Sequence, residues 1–578
     1  MAKKKSGKEK TYVITAAQGI QNPYSARMYG RDTSKGAPNK HLIKNIESYV
    51  EENNAELQIH SLVGGNCNEI ELHPFFNNRD DVYVESDSKK RNLQNRVKES
   101  VKRENYEGRV HKWDENEQIR KLKAEQNIEK AKQREWENNF GDMEDYDSNN
   151  EIFDSFSTFD VKSKDCPYNM PMHYFWENVP ETDWPLIGKR LNSNIRTANI
   201  PLKPQNKQPL NGKEFLTQKF GGGSVIIGSP KRMMIPAAKG ASAEYPHLLM
   251  TTGACTYPNY NFGDQGYMAK EHHRYGFAVV DVLDDKIFLP RIVPAQKNGT
   301  FIDLGIKYVN GKDPERAEVS AIDVGDSHFV EINPKINEAN MDMMRYLRPE
   351  STFLNDVFAA LSVSVHDVKD KIRLARLHRA GLSNLEKELS LTAEYVTENA
   401  NLVGQWGGKV YIKASNHDDM LYRWLTADGY KNDKENVLTA HKILAQDPSR
   451  DNCLEIAMKT FYDLPNNVVF LAPDEDMFVQ GYLMSMHGHK GSNGGKGSLK
   501  GIEKAVAKSS IAHGHALMRW HDALMAGTST EVMDYQKGYF STSMAGNNAI
   551  YKGGLAQSIP IIKSQWAPKR VLDFLEKN

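Results

Sequence analysis

Three features of the sequence predict an α/β protein: a β-α-β opening, a middle rich in short strands, and a long stretch where strands and helices alternate. In the opening, Tyr12–Ala16 is a short apolar run. His41–Glu52 follows with Leu42, Ile43, Ile46 and Val50 at helical spacing, and Leu57–Val63 is a second apolar run. The start, MAKKKSGKEK, is basic, but no apolar stretch follows it. Residues 1–10 therefore read as a disordered basic tail rather than a secretion signal. From about residue 86 to 150 the composition turns to Lys, Arg, Glu, Asp, Asn and Gln, with a thin apolar stripe. This charged helical insertion is either a solvated excursion or an arm that grips a partner. Between Pro167 and Asp313 the runs GGGSVIIGS, HLLMTTG, YGFAVVDVL and KIFLPRIV read as strands. Gly221–Gly223 lacks the context of a phosphate loop and reads as a turn into a strand.

From Glu318 to about Ile562, the strand-like runs VSAIDVG, KVYIKA, NVVFLA and SSIA alternate with helical stretches at Ser383–Ala400, Asp419–Ala427, Glu435–Leu444 and Leu454–Phe461. The expected organisation is the tail, an N-terminal α/β domain over 11–314 carrying the insertion, and a second α/β domain over 315–578. Composition agrees with a folded chain: 578 residues, 39% hydrophobic, with 75 basic residues balanced by 75 acidic ones. A neutral total means that any hold on nucleic acid must be local rather than spread over the surface. No apolar run is long enough to span a bilayer. Cys67, Cys166, Cys255 and Cys453 are too scattered for a disulfide framework or a metal knuckle, which suggests a reducing cytoplasm.

The chemistry concentrates in the second half. Five polar clusters each follow a short apolar run: Asp326-Ser327-His328, Asn355-Asp356, Asn416-His417-Asp418, His487 and His513-Gly514-His515. Carboxylates and imidazoles just past strand ends can converge in the crevice where α/β sheets place ligands. Mixed nitrogen and oxygen donors suit Mn, Fe or Zn better than Mg or Ca. Between the fourth and fifth clusters lies HGHKGSNGGKGS, where glycines and the charges of Lys490 and Lys496 suit either a flexible linker or a contact to a phosphate backbone. His366-Asp367 is either a further supporting pair or a surface loop.

In this order the clusters resemble the calcineurin-like metallophosphoesterases, whose pattern is D-x-H, GD-x-x-D, GNH[DE], H, GHxH. The resemblance implies a two-sheet sandwich flanked by helices over 315–578, and two divalent metals, most simply Mn2+. One would be held by Asp326, His328, Asp356 and His515, and the other by Asp356, Asn416, His487 and His513. It casts His417, oriented by Asp418, as a general acid or charge stabiliser. Three departures stand out. Asn355, Ser415 and Ala512 replace glycines and are expected to affect turns rather than ligands, Ala359 replaces the second aspartate, and His489 is an extra imidazole.

From about Lys207 onward RYGFAVVDV, GDSH, NDVF, HGHKGSNGGKGS and AGTST resemble the pre-early host-takeover DNases of certain coliphages, and more distantly SbcD-type repair exonucleases. That likeness implies a manganese-dependent DNase acting in the cytoplasm of an infected cell. Lys490, Asn493 and Lys496 would contact DNA, host proteins are further candidate partners, and self-association is compatible with the sequence. The alternatives are a phosphatase or phosphodiesterase for a small molecule or protein, and a non-catalytic binding protein.

Overall fold

The computed structural model describes residues 9–18, 20–21, 37–62, parts of 69–83, and 188–578 apart from 199, 201, 218–222, 241–242, 261–263, 365–370 and 531–539. The expectations for residues 1–8, the charged insertion, Cys67, Cys166 and the His366-Asp367 pair lie outside the described residues.

Strand Lys10–Ala17 runs parallel to Glu56–Ser61, and helix Lys40–Glu52 is the crossover between them, so the β-α-β opening is present, with Lys10 already in the strand. Asn39 caps the helix by accepting the Leu42 N–H at 3.2 Å, and Leu42, Ile43, Ile46 and Tyr49 form its buried face. Gly276–Val282 joins Lys10–Ala17 antiparallel, and Phe288–Pro294 joins Gly276–Val282, which with Val82–Tyr83 makes a five-stranded sheet.

A six-stranded sheet has the order Val468–Leu471, Lys409–Lys413, Ser351–Leu354, Val319–Asp323, Gly546–Tyr551, Ala556–Pro560. Its first four strands are parallel and the last two antiparallel. Helices Pro334–Leu347 and Leu385–Gly404 supply two of the crossovers that parallel pairing demands. Alternation along each strand sorts the two faces. Ile322, Leu354, Val410 and Ile412 enter the core shared with the helices. Ala321 and Phe353 point the other way, into a cluster with Tyr482, Met484 and Leu524.

Those last three residues belong to or flank a ten-stranded sheet whose strands come from both sides of residue 314. Its order is Phe478–Val479, Tyr482–Leu483, Ser509–Ile511, Ala523–Met525, Met518–Trp520, Met233–Ala237, His247–Thr251, Ser224–Ile227, Ile195–Ala198, Arg190–Asn192. The join is the antiparallel pair Met518–Trp520 with Met233–Ala237, where Arg519 faces Met234 and Trp520 faces Met233. Strands from before and after residue 314 therefore share one hydrogen-bonded sheet, and the middle runs do not all complete an N-terminal unit. Helices Pro334–Leu347 and Lys569–Lys577 are additions to the sequence reading. No described helix is long and apolar enough to cross a membrane.

Candidate metal centre

The parallel strands of the six-stranded sheet deliver three of the clusters at their carboxyl ends. Val319–Asp323 leads into Asp326 and His328, Ser351–Leu354 leads into Asp356, and Lys409–Lys413 leads into Asn416 and His417. The ten-stranded sheet delivers the others, His487 after Tyr482–Leu483 and His513 and His515 after Ser509–Ile511. The site thus lies where two sheets meet.

Ligand atoms of Asp326, His328, Asp356 and His515 all lie within 4.8 Å of one another, and so do those of Asp356, His487 and His513. Asp356 belongs to both groups. Nε2 of His328 is 3.2 Å from Nε2 of His515 and 3.6 Å from Oδ2 of Asp356. Nε2 of His515 is 3.4 Å from Oδ2 of Asp326. Nε2 of His487 lies 3.0 Å from Oδ2 of Asp356, but out of line for a hydrogen bond, as two atoms facing a common point would be. Asn416 opens helix Asn416–Thr426, and its Oδ1 is buried with no hydrogen-bond partner among the described residues. The same holds for Oδ2 of Asp326 and Oδ1 of Asp356. Buried acceptors without donors are costly, and a cation would satisfy them.

Backbone conformation marks the same residues. His328, Asp356, His513 and His515 have φ of +38°, +44°, +68° and +52°. The left-handed region costs a non-glycine residue about 1–2 kcal/mol, and such strain gathers at functional sites. The surroundings enforce it. His328 N–H donates to the Asp356 carbonyl at 2.6 Å, and His513 N–H donates to Oδ1 of Asp326 at 3.2 Å. The AGTST segment grips the first cluster, with the Asp326 N–H donating to the Gly527 carbonyl and the Ser529 N–H to the Asp326 carbonyl.

Electrostatics prepares most of the donors for a cation. Burial disfavours the Asp356 charge, but the imidazoles of His487, His417 and His328 hold its carboxyl well below the usual carboxylate range. Burial pushes His328 well below the ordinary imidazole value, and His513 and His515 down to about 4, so these three are neutral ligands at pH 7. Burial, with the Asp356 charge adding to it, pushes Asp326 up to about 8. His487 is also disfavoured as a cation by burial, yet the carboxylates of Asp356 and Asp326 push it up to about 8.

Two expectations are corrected. Asp418 does not orient His417. Its Oδ2 accepts the Ser415 N–H at 2.8 Å while the Ser415 hydroxyl accepts the His417 and Asp418 N–H groups, so Asp418 completes a capping box. Nδ1 of His417 instead meets the Ala359 carbonyl at 2.8 Å, and its ring stands edge-on to His328 with centroids 4.5 Å apart. A main-chain carbonyl at Ala359 thus serves where a side chain was expected. Asn355, in turn, is more than a turn residue: its Oδ1 lies 3.3 Å from Nδ1 of His487, and its amide donates to Oδ1 of Asp323 at 2.8 Å. Asp323 is paired with fully buried Lys413 at 2.8 Å and accepts from Ser510 at 2.6 Å. The sequence reading missed this network, because its members lie up to 187 positions apart.

The loop after His487 is a folded hairpin. Lys490 pairs with Lys496, a short 3-10 turn covers Ser492–Gly494, and Asn493 sits at φ +57°. A Cβ on Gly497 would lie 1.8 Å from the Gly488 carbonyl oxygen, so only glycine permits that closure. Lys490, Asn493 and Lys496 are all exposed. The Lys496 charge reaches His513, and Lys490 lies 3.9 Å from Asp419. The His489 ring centroid lies 5.6 Å from that of His487 and 6.0 Å from that of His513.

The chain is similar to Protein A1 of Escherichia phage T5, with 25% identity over 361 residues that make up 59% of this chain and 64% of that protein. The match therefore spans a little under two thirds of the relative's length. No family model and no solved structure matches the chain.

Proposed function

We propose that the protein is a dinuclear-metal-dependent phosphodiesterase of the calcineurin-like metallophosphoesterase type, acting on DNA. The observation that carries this reading is that two ligand groups share one carboxylate, Asp356, at the meeting point of two sheets. The unsatisfied acceptors on Asp326, Asp356 and Asn416 fit a cationic occupant, and the set of imidazoles and carboxylates fits Mn, Fe or Zn. Asp326, His328, Asp356 and His515 would hold one ion, and Asp356, Asn416, His487 and His513 the other. A pair of divalent ions supplies Lewis acidity toward a phosphodiester and acidifies the attacking water. The similarity to a phage protein supports the setting of an infected cell.

The chain's own residues do the rest. His417 stands at the rim beside His328 and is half-buried, with Nδ1 engaged by the Ala359 carbonyl. Nδ1–H donates to that carbonyl, and the ring in its protonated form presents Nε2–H to a phosphate or leaving oxygen as a general acid or charge stabiliser. Lys490 and Lys496 hold charge at the loop surface, where a polynucleotide backbone would run, and Asn493 offers an amide at its tip. Together they answer the need for a local basic feature on a neutral chain.

The test is to incubate the purified chain with duplex and single-stranded DNA in MnCl2, with and without EDTA. Metal-dependent cleavage that EDTA abolishes is the expected result. Efficient cleavage of p-nitrophenyl phosphate with DNA left intact would replace the nuclease reading with a small-substrate phosphatase.

A further inference from the structure

A second cluster of donors lies apart from the Asp356 centre. His272 follows helix Asp264–Glu271, Glu503 is on helix Leu499–Ala505, and His521 is in the turn between Met518–Trp520 and Ala523–Met525. One ligand atom from each lies within 4.8 Å of the others. The two imidazoles stack with centroids 4.4 Å apart and planes 27° apart. Nδ1 of each is buried with no hydrogen-bond partner among the described residues. Two orphaned ring nitrogens beside one carboxylate call for a common partner.

The local backbone favours a purpose for His521. Trp520 pairs with Ala523, so His521 and Asp522 form a two-residue hairpin loop, and His521 adopts φ +58°. Glycine fills such a position without strain, yet here it is an imidazole. The nearby carboxylate of Asp522 is already engaged. Its Oδ1 is 2.7 Å from Arg232 and its Oδ2 is 2.9 Å from Arg274. Glu503 makes no hydrogen bond or ion pair among the described residues, which leaves its carboxylate for the cluster.

We infer that His272, Glu503 and His521 bind a Zn2+ ion, distinct from the metals at Asp356. Two imidazoles and one carboxylate are a zinc donor set, with a fourth position for water. Cationic neighbours sharpen the choice of ion. Arg274 and Lys231 stand close to the imidazoles, although Arg274 is paired with Asp522 and Lys231 donates to the Ala269 carbonyl. Their charge works against any divalent cation, so the ion must be one that imidazole holds strongly, which rules out Mg2+ and Ca2+. The ion would pin three separate elements together. One of them, the helix Leu499–Ala505 capped by Ser498, begins three residues after Lys496, so the site also fixes the exit of the Lys490–Lys496 hairpin.

The experiment uses the full chain, stripped with EDTA, loaded with Zn2+ and dialysed, with zinc counted per chain and affinity measured against a chromogenic chelator. His521→Ala is expected to hold one ion fewer than the unaltered protein, and Glu503→Gln to bind that ion about 10-fold more weakly or worse. Asp356→Asn is expected to lose zinc elsewhere but keep this ion. Glu503 is half-buried on a short surface helix, so its isosteric amide preserves packing and decides the matter if His521→Ala does not fold. Unchanged zinc count and affinity in Glu503→Gln, or an Asp356→Asn chain that holds no zinc, would overturn the inference.

Discussion

At the scale of single residues, the site separates groups that could hold metal from groups that stand beside them. Asp356 belongs to both candidate ligand groups, so on the proposed reading Asp356→Asn should lower DNA cleavage by about 1,000-fold or more and reduce bound Mn2+, read by metal analysis and a nicking assay. His417 touches no carboxylate of the cluster and is held by the Ala359 carbonyl. His417→Ala should therefore keep metal stoichiometry while slowing turnover by about 100-fold. Unchanged turnover at full metal occupancy would remove His417 from the mechanism. Asn355→Ala strips both the partner of His487 Nδ1 and a donor to Asp323, and metal affinity should fall by about 10- to 100-fold with the melting temperature little changed. Away from the site, burial pushes His60 down to about 4. It is neutral when folded, whereas the unfolded chain takes up a proton below pH about 6.5, so stability is full above that value and declines as pH falls toward 4. His60→Gln should flatten that part of a plot of melting temperature against pH.

At the scale of elements, the candidate ligands were legible because carboxylates and imidazoles after apolar runs are conspicuous, and parallel strands aim their carboxyl ends at one crevice. The roles of Asp418 and Asn355 were not legible. Asp418 is claimed by the cap of its own helix, a local competitor for the carboxylate, while Asn355 acts through His487, 132 positions away. The hairpin at Lys490–Lys496 was ambiguous for a similar reason, since glycines that loosen a chain in solution also permit the close contact of Gly497 with the Gly488 carbonyl. If its two lysines meet phosphates, replacing both with alanine should weaken binding to all DNA sequences alike. The slope of log K against log salt should then become shallower by about 2, as measured by fluorescence anisotropy. Equal slopes in the two proteins would take the hairpin out of the DNA interface.

At the scale of the whole molecule, the sequence reads as two α/β units because each half has its own rhythm of strands and helices, and nothing in that rhythm reports which strands pair. Pairing is a long-range property: Arg519 meets Met234 across 285 positions, and Asp522 gathers Arg232 and Arg274 from the other half. The half that carries every candidate ligand at the Asp356 centre therefore depends on the other half for sheet closure. Cutting at 314/315 would leave Met518–Trp520 without its neighbour and Asp522 buried without two of its guanidinium partners. An open edge invites association, and Asp522 would keep only Arg519, at 3.5 Å, as a guanidinium partner. Residues 315–578 expressed alone should accordingly aggregate or melt without a cooperative transition, whereas the full chain melts cooperatively, by circular dichroism and size-exclusion chromatography. A monomeric fragment with a sharp transition and undiminished Mn2+ binding would mean that the shared sheet is not needed for the fold, and that residues 315–578 stand alone as the sequence rhythm suggests.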